Sequence, residues 1–93
     1  MAQNTDITLV ADTWTQLTNA DVTAITFQNK GPLPIKVKAT TGATAPADDA
    51  GALVYESERG EVDMAMADLF PGIAGVRLWA LARKSVRVAV SHA

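Results

Sequence analysis

The chain contains no cysteine, one histidine and only five aromatic residues among its 93. Without cysteine there is no disulfide framework, no thiolate zinc site and no thiol nucleophile. The lone histidine, His92, lies one residue from the end, which removes multi-histidine metal sites and most histidine-based catalysis. So near a terminus, a frayed and solvent-exposed imidazole is expected. There is no excess of positive charge either: Lys and Arg number 8 against 10 Asp and Glu, a net charge of −2. Nothing draws the chain as a whole to nucleic-acid phosphate or anionic lipid. No apolar run approaches the roughly 18 residues of a membrane-spanning helix. Met1–Asp6 lacks a basic n-region and no apolar h-region follows, so no secretory leader is expected.

Motifs of chemistry are missing as well. Gly-x-Ser-x-Gly, Gly-x-Gly-x-x-Gly and Gly-x-x-x-x-Gly-Lys-Ser/Thr do not occur, nor does the Asp-x-Asp-x-Asp-Gly calcium loop. Ser57, Ser85 and Ser91 have no upstream histidine to activate them. Glu56, Glu58, Glu61 and Asp63 cluster, with Asp48 and Asp49 nearby, but they flank Arg59-Gly60, which looks like a hairpin turn. Acid–base catalysis needs one carboxylate desolvated, and turns are wet. No enzyme, metal or cofactor is expected.

What is present is apolar surface arranged in short runs. Hydrophobic residues make up 48% and charged residues 19% of the chain. For one small domain, residues 1–93, that is more apolar surface than a single core readily hides, which hints at burial between chains. All ten threonines fall within the first 44 residues. The small, polar stretch at about 41–52, from Gly42-Ala43-Thr44 through Asp48-Asp49-Ala50-Gly51, predicts a mobile loop within one fold.

Around that loop, period-two alternation repeats: Ile7–Val10, Trp14–Leu17, Val22–Gln28, Ile35–Ala39, Leu53–Glu56, Val76–Leu81 and Val86–Val90. Turn residues separate them at Asn29-Lys30-Gly31-Pro32, Arg59-Gly60, Pro71-Gly72 and Arg83-Lys84. About seven short strands without a long helical period predict an all-β fold, a small antiparallel β-sandwich or partly open barrel. Val62–Phe70 is ambiguous. Val62, Met64 and Met66 alternate like an edge strand, whereas the residues are good helix formers stopped by Pro71-Gly72.

Two surfaces are worth weighing for binding. Lys36 and Lys38, with Arg87, are positioned to share a sheet face, but alternating lysines also simply prevent edge-to-edge aggregation, and no nucleic-acid partner is expected. In Val76–Leu81, Val76, Leu78 and Ala80 take one face and Arg77, Trp79 and Leu81 the other. Both faces are largely apolar, yet a sandwich strand has only one core to face. The second face must meet a neighbouring chain, a covering loop or another corner of the sheet. Arg and Trp side by side match the composition of interface centres. Arg77, Trp79 and Leu81 are therefore the candidate interface residues, with no catalytic, cofactor or metal residues assigned.

The order of these segments carries a family resemblance. Trp14-Thr15-Gln16-Leu17-Thr18, Val22–Asn29 and Gly31-Pro32-Leu33-Pro34-Ile35-Lys36-Val37, then the Thr41–Gly51 loop, Leu78-Trp79-Ala80-Leu81 and Arg87-Val88-Ala89-Val90-Ser91, resemble small virion proteins of tailed bacteriophages and prophages. The resemblance lies in strand and turn patterns and covers most of the chain. It implies a structural role: capsid decoration or an accessory piece of head or tail, made in the bacterial host cytoplasm. It also implies a homo-oligomer such as a trimer, docked on phage capsid or tail proteins. The rival expectation is a carbohydrate- or receptor-binding β-sandwich module.

Overall fold

The structure, a computed structural model, describes residues 3–71 and 76–92. Met1, Ala2 and Gly72, on which the leader and one turn expectation partly rest, lie outside the described residues. Eight strands and one helical turn follow in order: β1 Gln3–Thr8, β2 Thr15–Gln16, β3 Ala24–Asn29, β4 Ile35–Thr40, β5 Leu53–Tyr55, β6 Gly60–Ala65, α1 Met66–Leu69, β7 Arg77–Leu81 and β8 Arg87–His92. They form two four-stranded sheets, β1-β8-β3-β6 and β2-β7-β4-β5. Every neighbouring pair is antiparallel. The sheets face one another as an open sandwich and do not close into a barrel.

Alternation explains the packing. In β4, Ile35, Val37 and Ala39 are buried while Lys36 is exposed and Lys38 half-buried; in β8, Val88 and Val90 are buried and Arg87 exposed. Phe27, Ile25, Val37, Leu78, Val88 and Val90 meet between the sheets, with Leu9 and Leu17 added from the connections. Phe27 of the first sheet and Tyr55 of the second stack edge to face, ring centres 4.9 Å apart. Aromatic pairs of this geometry contribute ~0.5–1.5 kcal/mol beyond the area they bury.

Chain routing differs from a row of hairpins. Only β4 and β5 are both consecutive and paired; every other step carries the chain from one sheet to the other. The expected hairpin at Arg59-Gly60 is thus an arch. Glu56 to Arg59 closes it, with Arg59 N–H donating to Glu56 O at 3.0 Å and Glu58 in the left-handed region at φ 68°. Two further expectations change. Val62–Phe70 is divided: β6 continues to Ala65, and Met66–Leu69 makes a single helical turn that buries Met66 and Leu69. His92 is not frayed. It pairs with Gln3 of β1 and is 9% exposed, its Nε2 lying 3.0 Å from Gln3 Oε1, because β8 reaches the sheet with its last residues.

One buried polar side chain holds several of these crossings together. Asn29, fully buried at the end of β3, donates through Nδ2 to Leu33 O at 2.7 Å and to Tyr55 O at 3.2 Å. Its Oδ1 accepts from Gly31 N–H at 3.0 Å. The β3–β4 turn and the end of β5 are tied to one amide.

Candidate functional site

The outer face of the second sheet carries the three residues singled out in the sequence. Register places Trp79 between Gln16 of β2 and Lys38 of β4, and Leu81 beside Lys36. Leu78 and Ala80 point into the core, as the alternation requires, and Trp79 stands apart from that core cluster. Even so, Trp79 is only 7% exposed within a single chain. Its indole N–H donates to Thr40 Oγ1 at 2.8 Å, which satisfies the polar end of the ring. Arg77 is half-buried and donates through Nε to Asp21 at 2.6 Å. The three do share one strand face. Trp79, however, is closed over by its own chain and offers little area to a partner; only Leu81, half-buried, opens onto a surface groove.

The 41–52 loop, expected to be mobile, is tethered to the same sheet. Its acidic tip is tied back onto β4: Lys36 pairs with Asp49, and Lys38 pairs with Asp48 at 3.0 Å. Lys38, opposite Trp79 in register, thus carries the tether to Asp48. Hydrogen bonding from each lysine, with its charge, holds the Asp48 and Asp49 carboxyls below the ordinary 3.8. A depressed folded-state value means that the tether persists above 3.8 and is lost as pH falls through the lowered value. Ala50 N–H, which donates to Asp48 Oδ1 at 3.1 Å, reports on it. The amide resonance of Ala50 should titrate with a midpoint below 3.8, and Lys38→Ala should move that midpoint up towards 3.8.

The remaining candidates fall in different places. Lys36 and Lys38 lie on the second sheet and Arg87 on the first, so the three share no face. Glu56, Glu58 and Asp63 are exposed. Glu61 is half-buried and accepts the Tyr55 hydroxyl at 3.0 Å. Burial first, and then that hydrogen bond, push the Tyr55 hydroxyl well above its usual range. Among the described residues, no three His, Asp or Glu side chains gather as a metal site would require.

Sequence reasoning missed the apolar surface that is left outside. Leu53, Val54 and Val62 are exposed at 38, 59 and 82%. All three belong to β5 and β6, which border the two sheets on the same side of the sandwich, joined by the Glu56–Arg59 arch. Val62 protrudes because β6 bulges: Ile25 pairs with Met64 and Phe27 with Glu61, so Val62 and Asp63 together face Thr26 alone. Asp63 takes φ 46°, and its N–H donates to Thr26 Oγ1 at 2.8 Å. A bulge of this kind turns a side chain out of its alternating position. Around the corner, a groove of about 460 Å³ has Leu33, Pro34, Val54 and Leu81 along it and Asp12 and Arg83 at its rim. In comparisons with known proteins, the chain matches no family model, no curated protein and no solved structure.

Proposed function

We propose that this chain is a non-enzymatic virion structural protein of a tailed phage or prophage, which associates with itself and docks on capsid or tail proteins. The observation that carries the self-association is the apolar surface left exposed on the two bordering strands, at Leu53 and Val54 of β5 and at Val62 of β6. Sheet borders with exposed apolar residues are templates for association unless covered. A 93-residue domain gains stability by mass action when it assembles. The virion assignment rests on the order of strand and turn segments. The contact surface moves from the Trp79 face to the β5–β6 side, because Trp79 is already covered. A sugar-binding reading gains no support: Phe27, Phe70 and Trp79 are buried and Trp14 and Tyr55 half-buried, leaving no exposed aromatic platform.

Light scattering at tens of micromolar is expected to give a mass several times that of one chain. A monomer throughout that range would remove the self-association. Particles purified from the bacterium that carries the gene should contain peptides of this chain; their absence would remove the virion assignment.

A further inference from the structure

Val62 and the Leu81 groove are both apolar, and each has beside it a charge unpaired among the described residues, of opposite sign at Asp63 and Arg83. Val62 is the most exposed large apolar side chain among the described residues, held out by a bulge whose left-handed Asp63 fixes its direction. The groove is apolar along Leu33, Pro34, Val54 and Leu81, and its volume of about 460 Å³ suits an inserted side chain with its neighbours. At its rim stand Arg83 and Asp12, both exposed and neither ion-paired among the described residues. Next to Val62 is Asp63, also exposed and without an ion pair among the described residues. The other cation on the groove, Lys36, is already held by Asp49.

We infer that the occupant of the groove is Val62 of a second copy of this chain, with Asp63 of the inserting copy meeting Arg83 of the receiving one. This inference rests on the self-association proposed above. Knob and groove are different patches of one molecule, so the contact is head to tail. Such a contact repeats from copy to copy and closes into a ring or runs on as a filament. It gives a structural protein a way to assemble without uncovering Trp79, which is 7% exposed. Rim charges fix the orientation and the partner more than they add affinity.

The test is sedimentation of the wild type and two variants, each checked for a native circular dichroism melt. Val62→Asp removes the knob and keeps the groove. Val54→Glu with Arg83→Glu spoils the groove and keeps the knob. All three positions are exposed, so folding is spared. Each variant is expected to associate at least about tenfold more weakly than the wild type, ~1.4 kcal/mol. Mixed together, they should form a one-to-one complex and nothing larger, since one intact knob meets one intact groove. A wild type that assembles while Val62→Asp assembles equally well overturns the inference and leaves self-association standing. A mixture that stays monomeric overturns it too. A wild type that is monomeric overturns both.

Discussion

Replacing Asn29 with alanine is expected to destabilise the domain by about 4 kcal/mol, because three hydrogen bonds of ~1 kcal/mol or more are lost from a fully buried side chain and Gly31 N–H is left buried without a partner. The groups left behind are Gly31 N–H, Leu33 O and Tyr55 O. They belong to two separate connections, so no single local shift re-pairs them. For a domain of this size the melting temperature should fall by roughly 15–30 °C. That is a large part of a total stability of ~5–15 kcal/mol. Asn29→Asp gives a sharper test. An aspartate keeps an acceptor for Gly31 N–H but turns a second oxygen towards the two carbonyls that Nδ2 now serves. Burial and those carbonyls favour its protonated form and raise its folded-state pKa above the unfolded value of ~3.9. The folded state then binds the proton more tightly than the unfolded one, so stability falls as pH rises between the two values. Asn29→Asp should therefore lie closer to wild type at pH 4 than at pH 7, whereas the deficit of Asn29→Ala should be the same at both. A pH-independent Asn29→Asp deficit, measured by urea unfolding, would mean that the amide is not the tie between the turn and β5.

Asn29 also shows where sequence reading stops. In Asn29-Lys30-Gly31-Pro32 it reads as an ordinary turn residue, and its bond to Gly31 N–H is the local one that asparagine makes in turns. The bond to Tyr55 O spans 26 residues, and nothing within the turn encodes it. Local pattern was enough for β4 and β8, where alternation placed Ile35, Val37, Val88 and Val90 inside. It was enough to put Leu78 and Trp79 on opposite faces of β7, though not to say which face meets the core. It did not say what would satisfy the indole of Trp79, because that partner, Thr40, comes from another strand and stands in register with Arg77. At Val62 the pattern misled. Period two groups Val62 with Met64 and Met66, but the bulge breaks the period, leaving Val62 outside while Met66 is buried as the first residue of the helical turn. Bulges and long-range ties are set by the partner strand, and a single segment does not reveal its partner. Alternation pointed to the outer face of β7, whereas the large apolar side chains left most open are Val10, before β2, and Leu53, Val54 and Val62 of β5 and β6.

Gly60→Ala is expected to cost about 3 kcal/mol, the upper part of the range for forcing extra atoms into a packed site, and to act on β6 alone. Gly60 sits opposite Gln28 where β6 begins. A Cβ built there would overlap the Phe27 carbonyl, with Phe27 C at 2.7 Å and Gln28 Cα at 2.8 Å. These are backbone atoms of β3, so no side-chain rotation makes room. Gly31 is tight as well, its Cβ meeting the Val86 Cβ at 2.5 Å just ahead of β8, but the atoms met there belong to a side chain. At Gly60 the relief open to the chain is for β6 to lift from β3. That movement breaks the Gly60–Gln28 and Glu61–Phe27 pairing and strips cover from Phe27, which is 1% exposed. Hydrogen exchange should show the pattern directly: amides of β6 and of the Glu56–Arg59 arch lose protection, while those of β4 and β7 keep theirs. Because the lifted strand carries the Val62 bulge, the same substitution should also weaken self-association at temperatures where the domain is still folded. A variant that melts early yet assembles like the wild type would separate the strand from the contact and move the contact to β5.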